Sequence, residues 1–152
     1  LAVDGRRKLI LQGVVSQIET ATGANYFYDY ATNTVSLSKE TIEELTQKTN
    51  DVAIRIQDGA EATVWKVGDV TAKLDIEVRI LVKAKPDSLV VALQNVIADM
   101  SLVLGAAPSL GGICTFTRID SIEKPFYEIS QRFAVAIIHL RAEYDYQPGV
   151  DT

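Results

Sequence analysis

The sequence predicts an α+β fold: a mostly antiparallel or mixed sheet with two main amphipathic helices packed on it, plus a hairpin and a long projecting loop. Three observations carry this. From Thr71 to Lys85, Leu74, Ile76, Val78, Ile80, Val82 and Ala84 fall on even positions, and charged residues fill most of the odd ones. A period of two gives a strand with one dry face and one charged face. After the break Lys85-Pro86-Asp87, the residues Leu89, Leu93, Val96, Ile97, Met100 and Leu104 recur at helical spacing. Near the end, Phe133 to Ile138 is apolar on both faces and then alternates to Tyr146, as expected of a strand covered on both sides at its start.

The remaining elements follow in order. Asp4 to Ala21 reads as the first helix, with the stripe Ile10, Val14, Ile18 and Ala21. Asp4 is placed to cap it and Thr22-Gly23 to end it. Gly13 weakens this helix unless another backbone packs close to it. Asn25 to Ser38 reads as a β-hairpin turning at Ala31-Thr32-Asn33, with Tyr26, Tyr28 and Tyr30 on one face. Between Ser38 and Asn50 a short surface helix is expected, because Thr41 and Glu44 have capping-box spacing. Asp51 to Gln57 is a second strand. Asp58 to Val70 then reads as a long projecting loop, with turn signals at Asp58-Gly59 and Gly68-Asp69 and the only tryptophan, Trp65. Pro86 stops the central strand, and Asp87 or Ser88 is expected to cap the helix that runs to Leu104. Ala106 to Gly112 reads as a flexible Gly/Pro segment and Ile113 to Ile119 as a strand. Asp120 to Ser130 reads as a connection containing Pro125, and Gln131 to Tyr146 as the final strand.

Composition narrows the function classes. The 152 residues are expected to form one domain, 1–152. A net charge of −5 disfavours a nucleic-acid groove, and the one basic run, Arg6-Arg7-Lys8, reads as a solvated helix face. No apolar stretch is read as long enough for a membrane span, and no secretory signal is read at the start. The sequence opens on Leu rather than Met, which leaves room for residues before it. Cys114 is the only cysteine, so neither an internal disulfide nor a cysteine-based zinc site can form, and a reducing compartment fits.

Catalytic constellations are sparse. His139 is the only histidine, and a nucleophile–base pair with Cys114 is the one formal candidate for a small hydrolase. Leu110-Gly111-Gly112 lacks the lysine of a phosphate-binding loop. Glu43-Glu44 sits in a polar run and reads as surface. No catalytic, cofactor or metal residue is assigned. The candidate partner-contact residues are Val64 and Trp65 in the long connection and Tyr26, Tyr28 and Tyr30 before it. Trp65 is read equally as packing back on its own domain or as a partner contact, tryptophan being enriched in binding hot spots, and three tyrosines on one face suit an amphipathic sheet face or a subunit contact better than base stacking without a basic groove.

The order of elements resembles the tail terminator (tail completion) proteins of long-tailed bacteriophages. The stretches that carry the likeness are Ala72 to Val82, the helix Leu89 to Leu104, and Phe133 to Tyr146. The resemblance implies a structural virion protein of the tail and neck, assembled in the bacterial host cytoplasm. It implies a homo-oligomer, a hexameric ring, that caps the head-proximal end of the tail tube and ends its polymerisation. Its partners would be the tail tube protein, a neck or connector protein and, in contractile tails, the sheath. Another head–tail joining protein of the neck is the nearest alternative. Six copies would carry a formal charge of about −30, suited to a lumen that passes DNA without specific binding.

Overall fold

The computed structural model describes residues 3–30, 34–49 and 51–146. Among them three helices and five strands run in the order α1 (Val3–Glu19), β1 (Val35–Ser36), α2 (Ile42–Lys48), β2 (Val52–Lys66), β3 (Asp69–Lys83), α3 (Leu89–Ala106), β4 (Phe116–Glu128) and β5 (Phe133–Tyr146). The strands form one mixed sheet ordered β1-β2-β3-β5-β4. The β1–β2 pair is parallel and every other pair is antiparallel. This is the expected α+β class.

β3 occupies the centre and sorts the whole molecule. Val70, Ala72, Leu74, Ile76, Val78, Ile80 and Val82 are buried, while the odd positions up to Arg79 stay partly open. Cross-strand register extends this division. Ile54 and Ile56 of β2 sit opposite Ile80 and Val78, and Ala136, Ile138, Leu140, Ala142 and Tyr144 of β5 sit opposite even residues of β3. Directly opposed residues share a face, so the sheet has one continuous apolar side.

Helices α1 and α3 cover that side. Leu89, Leu93, Val96, Met100, Val103 and Leu104 of α3 and Ile10, Val14 and Ile18 of α1 join the even residues of the sheet in one core, with Ile97 partly buried against it. Gln17 Nε2 donates to the Val103 carbonyl at 2.9 Å and ties the two helices. Gly13 has a packing reason, though not the one expected: a Cβ there would lie 3.2 Å from Ile113 Cδ1, so side chains rather than backbone press on it. Ser88 takes the N-cap position of α3, but its side chain makes no capping bond.

A second, smaller core lies on the opposite side, where Leu45 of α2 meets Ala53, Leu81 and Phe133. The expected cap of α2 is present: the Glu44 N–H donates to Thr41 Oγ1 at 3.1 Å.

Several expectations need correction. The loop Asp58 to Val70 is a β-hairpin. β2 pairs with β3 out to Lys66↔Asp69, leaving only Val67 and Gly68 as the turn. Gly68, at φ 77°, supplies the left-handed conformation such a turn needs. Asp58-Gly59 is no turn but a bulge in the ladder between Asp58 and Glu61. Glycine suits the close approach there: a Cβ would sit 2.6 Å from Asp75 Oδ2 and 3.2 Å from the Asp75 carbonyl oxygen, so Asp75 would have to shift.

The hairpin expected over Asn25 to Ser38 does not form. Tyr26 to Tyr30 belong to no strand, and β1 runs parallel to β2; the expected turn at 31–33 lies outside the described residues. Asp120 to Glu128 is strand rather than connection. Pro125 is tolerated because β4 is an edge strand with its register shifted between Glu123 and Phe126. Residues 107–115 fold into successive turns, with Leu110, Gly111 and Gly112 at positive φ and Leu110 buried. Asp4 lies inside the first turn of α1, not ahead of it.

The reading that no stretch could span a membrane also changes. By length and composition alone α3 would qualify. Its buried half is accounted for by the sheet beneath it, as in a core helix.

Leu93 is fully covered at the centre of this packing. Leu93→Ala should cost about 2–5 kcal/mol in urea unfolding. A change too small to measure would mean that α3 does not pack on the sheet this way.

Candidate interaction surface

The β2–β3 hairpin ends in an apolar tip. Val64 is about half exposed, Trp65 is 68% exposed and Val67 is fully exposed. Trp65 sits opposite Val70, on the helix-facing side, and Val64 opposite Thr71, on the other. Indole and isopropyl groups in water are costly, since apolar area left exposed forgoes about 25 cal/mol per Å² on burial.

The hairpin is anchored at its root. Glu61 accepts from Arg7 Nε of α1 at 3.0 Å at both carboxylate oxygens, and from the Tyr144 hydroxyl of β5. Burial works against the charge on Glu61, but the Arg7 guanidinium and the Tyr144 hydroxyl outweigh it and hold the carboxyl below its usual range. Stacked Tyr144 and Tyr146, with ring centroids 6.0 Å apart, extend β5 alongside β3 to Val70. The tip is therefore a projection held on three elements.

The tyrosines do something else. Tyr30 is fully buried, and its hydroxyl donates to Asp99 Oδ2 at 2.8 Å. The Phe27 N–H donates to the same oxygen at 2.9 Å. Burial, then the bond to Asp99, push the Tyr30 hydroxyl far above its ordinary pKa. Tyr26 and Tyr28 pack partly against the core, and Tyr28 meets Tyr30 edge-on. Tyr30 is thus withdrawn from the list of surface contacts; it pins the segment to α3. Asp99, the one charged residue in an otherwise uncharged helix, is a functional anchor that the sequence reading passed over.

Two further surfaces stand open. The outward side of α3 exposes Val90, Val91, Gln94, Ala98, Ser101 and Leu102, with no charge among them. The face of the sheet away from α1 and α3 divides in two. Toward the hairpin it is a charge ladder. His139 Nε2 meets Glu123 at 2.9 Å and its Nδ1 meets Asp75 at 3.3 Å, and Arg141 and Arg118 share Asp120 at 2.9 and 3.0 Å. Glu123, with Asp75, raises the His139 pKa against the opposing pull of desolvation. Toward α2 the same face becomes apolar at Leu81, Val135 and Ile137.

This arrangement overturns the Cys114–His139 pair. Cys114 lies in the main core beneath the helices, and burial pushes its thiol up to about 11, so little thiolate forms near neutral pH. His139 sits on the other side of the sheet with both nitrogens engaged by carboxylates. Among the described residues no group of three or more His, Cys, Asp or Glu could hold a metal ion. Models of known protein families give no match to the chain, and neither do curated proteins.

One polar cluster fixes the α2 side. Glu40 accepts from Arg55 Nε at 2.7 Å, Lys48 Nζ at 2.9 Å and Ser38 Oγ at 2.7 Å. Lys48 first, then Arg55 and Ser38, hold its carboxyl down to about 2. A depressed carboxyl contributes stability that is full above its ordinary value of 4.5 and is lost as pH falls toward 2. Wild type and Glu40→Gln should therefore differ in stability at pH 6 and converge as the pH drops through that window; a pH-independent difference would contradict the assignment. Trp65→Ala, by contrast, should leave thermal stability within about 0.5 kcal/mol of wild type, because the side chain is mostly in water. A loss of several kcal/mol would place Trp65 in the domain's own core.

Proposed function

We propose that this chain is the subunit of a closed ring that caps the head-proximal end of a bacteriophage tail tube, ends tube polymerisation and presents a surface to the neck. The observation that carries the reading is the projecting hairpin with Val64, Trp65 and Val67 at its tip, an apolar group held out in solvent by a rigid root. The uncharged outward side of α3 supplies a further patch for the tube or the neck. A ring needs two unlike complementary patches, because only heterologous contacts repeat around a rotation axis. The order of elements, with its long alternating central strand followed by an apolar helix, supports the tail terminator pattern over other ring proteins. The acidic balance suits a lumen through which DNA passes without being held.

The test is to add the purified protein to tail tube subunits that are polymerising and to measure tube length by electron microscopy. The reading expects tubes to stop elongating, with an added ring of density at one end. Unchanged elongation with the protein binding only to tubes already capped would favour the neck alternative. A protein that stays monomeric and leaves the tubes untouched would contradict both.

A further inference from the structure

On the open face of the sheet, beneath α2, lies a depression walled by Ile42 and Leu45 and floored by Leu81, Val135 and Ile137. Glu40, Arg55, Gln57 and Arg79 supply its polar lining. Arg79 stands directly opposite Arg55 on the neighbouring strand, a like-charge pairing that is unfavourable by itself. Arg55 is neutralised by Glu40 and also donates to the Thr34 and Ile54 carbonyls. Arg79 pairs with Glu77 at 3.5 Å, and its Nε is buried with no hydrogen-bond partner among the described residues. An N–H shut away from water without an acceptor is a costly state that a bound group would relieve.

We propose that this depression receives the hairpin tip of a second copy of the chain, with the Trp65 indole over the Arg79 guanidinium and Val67 against the apolar floor. The proposal rests on the ring reading above and names the contact that builds it. The chemistry matches on both sides. The tip brings an aromatic face and the backbone carbonyls of a two-residue turn. The depression offers a cation with an unpartnered donor, set among aliphatic side chains. An arginine over a tryptophan face is the most favourable cation–aromatic pairing, and it strengthens as water is excluded.

Geometry decides that the contact is between copies. Asp69, next to the turn, and Leu81 lie twelve residues apart on β3, which at a rise of about 3.3 Å per residue separates tip from depression by roughly 40 Å. The hairpin, tied down by Arg7 and Tyr144, cannot fold back over that span. Tip and depression therefore form the two unlike halves of a head-to-tail contact, the kind that closes into a ring when the rotation fits.

The experiment uses sedimentation velocity on the full chain and three variants: Trp65→Ala, which removes the tip, and Arg79→Glu and Ile42→Trp, which spoil the depression by charge and by filling. Ile42 is partly exposed, so that change does not depend on repacking the core. Wild type should form the ring, and each variant alone should remain monomeric with an unchanged circular dichroism spectrum. A mixture of Trp65→Ala with Ile42→Trp should stop at dimers, because it contains one intact tip and one intact depression per pair. Rings from Trp65→Ala alone would overturn the proposal and leave the ring reading standing. Rings from both depression variants, with Trp65→Ala monomeric, would overturn the depression as the receptor. A wild type that is monomeric at every concentration would overturn the proposal and the ring reading together.

Discussion

The fold depends on β3 being paired on both sides along its full length. Asp69 to Val82 pair with β2 on one edge, broken only by the bulge at Gly59, and Val70 to Lys83 pair with β5 on the other. A strand so held cannot slip by one residue without moving its whole apolar set to the charged face. The even face then demands a cover, which α1 and α3 provide, and the odd face is left to ion pairs, solvent and the small core under α2. The same pairing extends past the helices to carry the hairpin outward, so the central strand makes both the core and the projection.

Two partnered carboxylates hold the outlying parts to this frame. Glu61 joins α1, β2 and β5 at the hairpin root, and Asp99 joins the segment around Tyr30 to α3. Each is largely covered and each has at least two donors, the condition under which a covered charge holds structure together instead of destabilising it. With those anchors in place, the apolar groups still in water include the tip, the outward side of α3 and the depression under α2. They face different directions, which is what an assembly subunit with several neighbours requires.

Much of this was legible in the sequence, for reasons that differ by element. β3 and α3 were readable because their apolar periods are long and unbroken, and α2 because Thr41 and Glu44 make a local cap. The sequence reads the hairpin as a loop because Asp58-Gly59 looks like a turn, whereas Gly59 serves the close approach of Asp75 across the ladder, a contact sixteen residues further along the chain and invisible locally. Pro125 looked like a strand breaker because edge position is a property of topology, not of sequence. Tyr26, Tyr28 and Tyr30 do share the more covered side, alternating with exposed Phe27 and Asp29, but without a paired strand, and Tyr30 is drawn inward by Asp99. Trp65 and Val64 were singled out, and both lie on the surface. The depression had no sequence signal, since its walls come from α2, β3 and β5, brought together only by the fold.

The central claim is that the isolated subunit already holds the hairpin as part of its rigid sheet. Amide hydrogen exchange on dilute monomer measures this most directly. The account predicts that the paired amides of residues 61–66 and 70–74 exchange far more slowly than an unfolded chain, with protection approaching that of residues 76–82 at the centre of β3. Exchange of residues 61–74 at unfolded-chain rates, beside a protected centre, would contradict it.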